Sequence, residues 1–263
     1  MKRILALVLA LMMLIAVCAG CGTDSDSDLA YVQDKGELVI GYTVYEPMNY
    51  TDDEGKFVGF DTEFAEAVCE KLGVEPKFQL IDWGMKVDEV QSKAIDCIWN
   101  GMTITDELLA AIDISTPYAK NAQVIIIRAA DKDKYTTTES LKGAKLVAEG
   151  GSAGEKVIKA DENLSQAALT PVTYQTDTLM EVKSGASDAA VVDITLAQNM
   201  VGEGTDYADL IFIENLELSK EEYGIGFRKD SDLCDKVNEI IADLLADGTL
   251  ADISAKYNVA LAE

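Results

Sequence analysis

The sequence contains no histidine in 263 residues. Ser-His-Asp and Cys-His catalysis and His-ligated zinc sites are therefore excluded. Basic residues are also few, since 22 Lys and Arg stand against 47 Asp and Glu and give a net charge of −25. Because proteins bind phosphate backbones through clustered Lys and Arg, this charge argues against a nucleic-acid partner.

The five cysteines lack the spacing of a disulfide framework or a metal site. Cys18 and Cys21 lie near the N-terminus, and Cys69, Cys97 and Cys234 are far apart in the rest of the chain. The last three fall in helix- or strand-patterned segments, which predicts small buried side chains. No metal and no cofactor are expected.

The N-terminal segment has the pattern of a lipoprotein signal. Two basic residues precede an uncharged stretch, residues 4–17, that is too short to span a bilayer comfortably. Small residues then lead to Cys21, which resembles the lipidated cysteine of bacterial lipoproteins. Residues 1–20 are predicted to be the signal peptide and residues 21–35 a lipidated flexible tether, which would hold the protein on the outer face of the cell membrane. The alternative is an ordinary secretory signal with a chance cysteine.

Apolar strand patterns alternate with helix patterns through the rest of the chain, which favours an α/β fold with largely parallel sheets. The alternation restarts halfway, which predicts two similarly wound lobes. Two extended apolar stretches, residues 123–128 and 223–228, are predicted to connect them. Lobe 1 is predicted over residues 36–123 and 224–263, and lobe 2 over residues 124–223. Ligands bind beyond the carboxyl ends of strands in such sheets, so we expect a site in the cleft between the lobes.

Capping residues predict several helix boundaries. Gly73 follows an apolar helix pattern and is placed to end it. Thr105 is placed to cap the start of another helix. Ser152 and Glu155 have the spacing of a capping box.

Four short motifs occur in the order found in one protein family. They are residues 55–61 (GKFVGFD), 95–105 (IDCIWNGMTIT), 140–143 (SLKG) and 246–249 (ADGT). Together they resemble the extracellular solute-binding proteins, family 3, of polar amino-acid ABC importers, over roughly residues 36–258. The resemblance implies a two-lobed periplasmic-binding-protein type II fold, in which each lobe is a mostly parallel sheet flanked by helices and two crossover strands join the lobes. It also implies a monomeric, non-enzymatic subunit that captures a polar amino acid or a related small amine by lobe closure and delivers it to ABC permease subunits.

The resemblance further implies a set of ligand-binding residues. They are Tyr45, Trp83, Asn100, Gly101, Met102, Thr103, Leu108, Glu149, Gly151, Ser152, Ala153 and Asp193. Tyr45 matches an aromatic that stacks on the ligand, and Trp83 matches a pocket-lining position. Helix termini after residues 100–103 and 151–152 suit a carboxylate, and Asp193 suits an α-ammonium. The structural alternatives are that Tyr45 packs on its own lobe and that Ser152 and Asp193 only cap helices.

Two positions depart from the family pattern. The family's carboxylate-binding Arg is replaced by Leu108, and its second Thr after the lobe 2 glycine is replaced by Ala153. Helix termini alone could hold the carboxylate, another cation such as Arg128 could replace the lost Arg, or the ligand could be an amine without a carboxylate.

Two other functions stay open beside the importer subunit. One is a ligand-sensing module for a membrane receptor. The other is a dehydratase-like enzyme on the same scaffold, for which Glu149 or Asp193 would have to supply the acid or base.

Overall fold

The computed structural model describes residues 27–263. The predicted signal peptide and Cys21 lie outside this range. The strands are β1 (Glu37–Tyr42), β2 (Tyr50–Thr51), β3 (Phe57–Val58), β4 (Glu75–Leu80), β5 (Cys97–Ile98), β6 (Asp113–Ile114), β7 (Ala119–Arg128), β8 (Lys145–Glu149), β9 (Ala168–Val172), β10 (Ala189–Asp193), β11 (Leu210–Tyr223) and β12 (Gly226–Phe227). The α-helices are α1 (Asp28–Lys35), α2 (Phe60–Leu72), α3 (Lys86–Gln91), α4 (Asp106–Ala111), α5 (Ala153–Ala160), α6 (Asp177–Ser184), α7 (Ile194–Met200), α8 (Asp232–Ala246) and α9 (Thr249–Tyr257). Short 3-10 helices cover Trp83–Met85, Ala129–Asp131, Glu139–Leu141 and Leu164–Gln166.

The first sheet has the strand order β4-β1-β5-β12-β6. β1 pairs in parallel with β4 and β5, whereas β12 runs antiparallel to β5 and β6. α2 connects β3 to β4 and buries Phe64, Val68 and Leu72 at helical spacing. It ends as predicted at Gly73, which takes the left-handed conformation with φ 73°.

The second sheet has the order β11-β7-β10-β8-β9. β8 pairs in parallel with β9 and β10, and β7 runs antiparallel to β10 and β11. Every residue of β10 is buried, as expected for a strand covered on both faces. Each sheet therefore has the predicted parallel part. The antiparallel pairs are those of β12 with β5 and β6 in the first sheet and those of β7 with β10 and β11 in the second.

The chain passes between the sheets twice. It leaves the first sheet after β6 and enters the second through β7, and it returns through β11 to β12. Isolated bridges join Thr103 to Tyr223 and Ala119 to Leu261 at this crossing. Two adjacent antiparallel strands therefore link the two halves of the molecule.

The predicted flexible tether is wrong over residues 28–35, which form α1. Ser27 caps this helix by accepting a hydrogen bond from the Ala30 backbone N–H. The Asp28 carboxylate is 5% exposed and pairs with the Arg228 guanidinium at 2.8 Å. Val32 is fully buried against the first lobe. Asp28 and Val32 therefore hold α1 against the first lobe, although most residues of this helix are polar.

The three described cysteines are free and buried, as predicted. Burial raises the pKa of Cys69 and of Cys234 to about 12, so both thiols stay protonated and inert. Within residues 27–263, no helix has the length and apolar character needed to cross a membrane.

Candidate functional site

A cleft between the two sheets collects the predicted site residues. Its lining consists of Tyr45, Trp83, Lys86, Asn100, Gly101, Met102, Thr103, Thr105, Leu108, Glu149, Gly151, Ser152, Ala153, Lys156, Gln175 and Asp193. All twelve residues named from the sequence are in this set, and their contact with a ligand stays a prediction. Lys86, Lys156 and Gln175 are additional lining residues that the sequence analysis did not name.

The loop after β5 forms one wall, and Asn100 holds it in place. The Asn100 side-chain oxygen accepts from the Thr43 N–H at 3.0 Å and hydroxyl at 2.8 Å, and its nitrogen donates to the Asn49 side-chain oxygen at 2.8 Å. Gly101 follows with φ 57°, and a Cβ there would lie 2.8 Å from the Tyr45 ring. Asn100 therefore positions the wall, because its amide already has partners in lobe 1.

Asp61 supports the same loop from below. Its carboxylate accepts from the Gly101 backbone N–H at 2.7 Å, the Tyr118 hydroxyl at 3.0 Å and the Trp99 indole at 3.2 Å. Complete burial raises the pKa of Asp61 to about 7, although these three donors oppose the shift. The backbone of the cleft wall is therefore fixed by a carboxyl that no ligand can reach.

Tyr45 is 2% exposed and lies at the junction of the lobes. Its hydroxyl is 2.7 Å from the hydroxyl of Tyr223, the last residue of β11. Tyr45 thus lines the cleft and also packs within the protein, and its stacking on a ligand stays a prediction.

Asp193 ends β10, as the sequence pattern indicates, and its carboxylate is buried. It accepts from the side-chain amides of Asn121 at 2.6 Å, Gln175 at 2.7 Å and Gln123. The side chain makes no capping bond to α7, so the capping alternative is wrong. Burial raises the pKa of Asp193 to about 6, nearby Glu221 adds to the shift, and the amides oppose it. Three neutral donors thus orient an anionic group that a ligand ammonium can neutralise.

Glu149 supplies a second carboxylate at the end of β8. The side chain is 4% exposed, and its Oε1 has no hydrogen-bond partner within residues 27–263. Burial raises the pKa of Glu149 to about 8, with Asp193 adding to the shift and the Thr43 hydroxyl and Lys86 opposing it. An unpaired buried acceptor costs stability, so its persistence in a cleft is typical of a ligand-contacting group.

The first turn of α5 faces the cleft from lobe 2. The Ser152 hydroxyl accepts from the Glu155 backbone N–H at 3.1 Å, while the Glu155 carboxylate accepts from the Gly151 N–H at 2.9 Å. Ser152 therefore caps the helix, as the sequence alternative states, and lines the cleft as well. Ala153 begins the helix, where backbone N–H groups have no acceptor within the helix. Such a terminus suits an anion.

Lys86 is the main site residue that the sequence analysis missed. Its ammonium nitrogen lies 3.0 Å from the Trp83 carbonyl oxygen, 3.1 Å from the Gly151 carbonyl oxygen and 4.6 Å from the Trp83 ring centroid. The residue is 7% exposed. Lys86 comes three residues after Trp83, and residues at this spacing lie on one face of a helix. This spacing is the sequence feature that could have placed Lys86 beside Trp83 in the cleft.

Leu108 lines the cleft, which agrees with its predicted place in the vacated Arg position. It is 6% exposed and packs in an apolar cluster with Trp83 and Met102. Arg128 does not substitute for the lost Arg, since its guanidinium binds the Asp131 carboxylate and the carbonyl oxygens of Val182 and Ser187. The cations in the cleft are Lys86 and Lys156.

The two lobes touch across the cleft. Lys156 of α5 pairs with Glu107 of α4 at its mouth, and the Lys86 ammonium bonds Gly151. A Cβ at Gly151 would lie 2.8 Å from the Gly84 Cα, so glycine permits this approach. The enclosed volume is about 30 Å³, room for about two water molecules. This volume is too small for an amino acid while the lobes keep this arrangement.

Two α/β lobes, two connecting strands and a polar cleft between the lobes define the class of two-lobed, type II periplasmic binding proteins. The chain belongs to one family of this class, the bacterial extracellular solute-binding proteins, family 3, whose model matches residues 38–260. The predicted fold class and family are thereby confirmed.

Individual relatives agree with this assignment. The L-cystine-binding protein TcyJ of Escherichia coli (strain K12) is 29% identical over 250 residues, covering 93% of this chain and 92% of that protein. The arginine-binding extracellular protein ArtP of Bacillus subtilis (strain 168) is 27% identical over 265 residues, covering 98% of each. The solved structure of the ancestral amino acid-binding protein AncCDT-1, a precursor of cyclohexadienyl dehydratase, has a TM-score of 0.79 at 28% identity and covers 88% of this chain and 99% of that one. The predicted role, a solute-capturing subunit of an ABC importer, is confirmed at this level.

Proposed function

We propose that the cleft captures an α-amino acid with a second cationic nitrogen group, as in arginine, lysine, ornithine or cystine. The observation that carries this proposal is the pair of buried carboxylates, Asp193 and Glu149, in one cleft. A ligand with one ammonium needs one of them, whereas a ligand with two cationic groups can neutralise both.

The charges in the cleft favour the same ligands. Among the residues that line the cleft, Asp193 and Glu149 carry two negative charges when ionised, and Lys86 carries one positive charge. Lys156 is paired with Glu107, so the two cancel. The remaining charge of −1 matches a basic amino acid, whose net charge is +1. Cystine has no net charge, but its two ammonium groups can still face the two carboxylates.

The names of the relatives support the proposal. The E. coli relative binds L-cystine, and the B. subtilis relative binds arginine. Both amino acids carry an α-ammonium and a second cationic nitrogen group. We assign the α-ammonium to Asp193 and the second cation to Glu149, whose Oε1 has no hydrogen-bond partner among the residues that the structure describes.

The protein performs no chemistry in this proposal and works as a monomer that closes over its ligand. Lobe 1 (residues 36–123 and 224–263) and lobe 2 (residues 124–223) move about the crossing strands. The closed form delivers the ligand to permease subunits. A lipid on Cys21 holds the mature chain on the outer face of the membrane after removal of residues 1–20.

Calorimetric titration of the purified protein tests the ligand class. We expect L-arginine, L-lysine, L-ornithine or L-cystine to bind at least about tenfold more tightly than L-glutamine or L-glutamate. Glu149→Gln should remove most of this preference, because it deletes the charge that faces the second cation. Glu75→Gln is the matched control, since it removes an exposed carboxylate on β4 that is not among the lining residues of the cleft. A wild-type protein that prefers L-glutamine would contradict the proposal.

A further inference from the structure

We propose that the Lys86 ammonium binds the ligand's α-carboxylate and replaces the guanidinium that is missing at Leu108. The inference rests on the proposed function in that it takes the ligand to be an α-amino acid. Lys86 is proposed to bind the ligand's carboxylate and Glu149 its second cation, so the two proposals can be tested separately.

Lys86 is placed and oriented for this role. Its buried ammonium has three N–H donors, and two of them meet the carbonyl oxygens of Trp83 and Gly151. Among the side chains that the structure describes, no carboxylate forms a salt bridge with this nitrogen. One donor and the full positive charge are therefore left for a ligand oxygen.

The environment of Lys86 holds its charge in one place. The Trp83 ring lies under the ammonium at 4.6 Å, which adds a cation–π contact. Trp83 begins the short 3-10 helix Trp83–Met85, which continues directly into α3, whose first residue is Lys86. Burial lowers the pKa of Lys86 to about 8, with Lys156 adding to the shift and Glu149 opposing it. A carboxylate beside the ammonium would reverse this effect and stabilise the charged form.

A second anion-binding element lies next to the ammonium. The Gly151 carbonyl that Lys86 contacts immediately precedes Ser152 and Ala153, where α5 begins. The start of this helix therefore lies next to the Lys86 ammonium. A carboxylate between them would be bound from lobe 1 by Lys86 and from lobe 2 by the helix terminus, and so would hold the lobes together.

The test pairs each amino acid with the amine that lacks its carboxylate. Wild type and Lys86→Met are titrated with L-arginine and agmatine, and with L-glutamine and 4-aminobutanamide. Methionine keeps an unbranched chain against Trp83 but removes the charge. Lys77→Met is the matched control, because it removes an exposed ammonium on β4 that is not among the lining residues of the cleft. Circular dichroism and thermal unfolding show whether each variant is folded.

We expect Lys86→Met to weaken amino-acid binding by about 10- to 100-fold, as for a lost hydrogen bond to a charged group. Binding of the decarboxylated amine should change less than about threefold. Adding Leu108→Arg to Lys86→Met should restore affinity for the amino acid but not for the amine, because it supplies a new carboxylate partner. The control should affect amino acid and amine equally.

Two results would overturn the inference. One is an equal loss of affinity for the amino acid and its amine in Lys86→Met, which would show that Lys86 only bridges the lobes. The other is unchanged amino-acid binding in a folded Lys86→Met variant. If L-glutamine binds more tightly than L-arginine, the proposed ligand class fails, and the glutamine pair still decides the role of Lys86.

Discussion

Replacing Glu149 by glutamine should remove a pH-dependent cost to the stability of the ligand-free protein while it weakens ligand binding. The carboxyl group is buried and its pKa is raised from the ordinary value of 4.5 to about 8. Between these two pH values the folded protein keeps a proton that the unfolded chain has lost. The free energy of unfolding therefore falls as pH rises through this window, and the loss is complete above about pH 8. At pH 7 the cost is about 3 kcal/mol, from two and a half pH units at about 1.4 kcal/mol each.

Urea unfolding of wild type and Glu149→Gln from pH 4 to pH 8 measures this cost. The difference between the two free energies of unfolding should shift in favour of the variant by about 1.4 kcal/mol per pH unit above pH 4.5. The new amide also needs a hydrogen-bond partner, which adds a roughly constant penalty of about 1–3 kcal/mol. The slope is therefore the decisive quantity. A difference that does not change with pH, or one shared by the exposed control Glu75→Gln, would refute the reasoning.

Three further outcomes follow from the site. Affinity for a basic amino acid should rise by up to about tenfold per pH unit between pH 6 and pH 8, because binding ionises Glu149. Calorimetric titration in two buffers of different ionisation enthalpy should show that binding releases a proton, and Glu149→Gln should reduce this release. Small-angle scattering should show a smaller radius of gyration at saturating ligand, and an unchanged radius would contradict lobe closure. Cys21→Ser should release the protein from the membrane fraction, and retention after signal cleavage would contradict the lipid anchor.

Much of the site could be predicted because it follows from strand ends and helix starts. Asp193 follows an apolar run that has to be a buried strand, so its carboxylate lies at the carboxyl end of that strand. Thr105 and Ser152 have the side chains that helix starts require, and both accept the expected backbone N–H. Local rules place these residues, and the two-lobed topology then brings them to one cleft.

The sequence alone did not place α1 or Lys86, because both depend on contacts far along the chain. α1 is held by the ion pair of Asp28 with Arg228, which is 200 residues away. Lys86 is buried through a carbonyl oxygen 65 residues away, on the other lobe. A lysine and an acidic, polar segment are usually exposed. The burial of α1 and of Lys86 depends on distant partners, which the spacing of apolar residues in the sequence does not reveal.

Leu108 and Lys86 are best explained together. Leu108 packs in an apolar cluster with Trp83 and Met102, and the Trp83 ring lies beneath the Lys86 ammonium. A guanidinium at residue 108 would break this apolar contact and add a further cation to the cleft that already holds Lys86 and Lys156. Because residue 108 of α4 is an uncharged leucine, the cleft can hold the positive charge of Lys86 at the start of α3. The cleft keeps a cation for a carboxylate, but the cation is now a lysine that contacts both lobes, so ligand binding and lobe closure share one side chain.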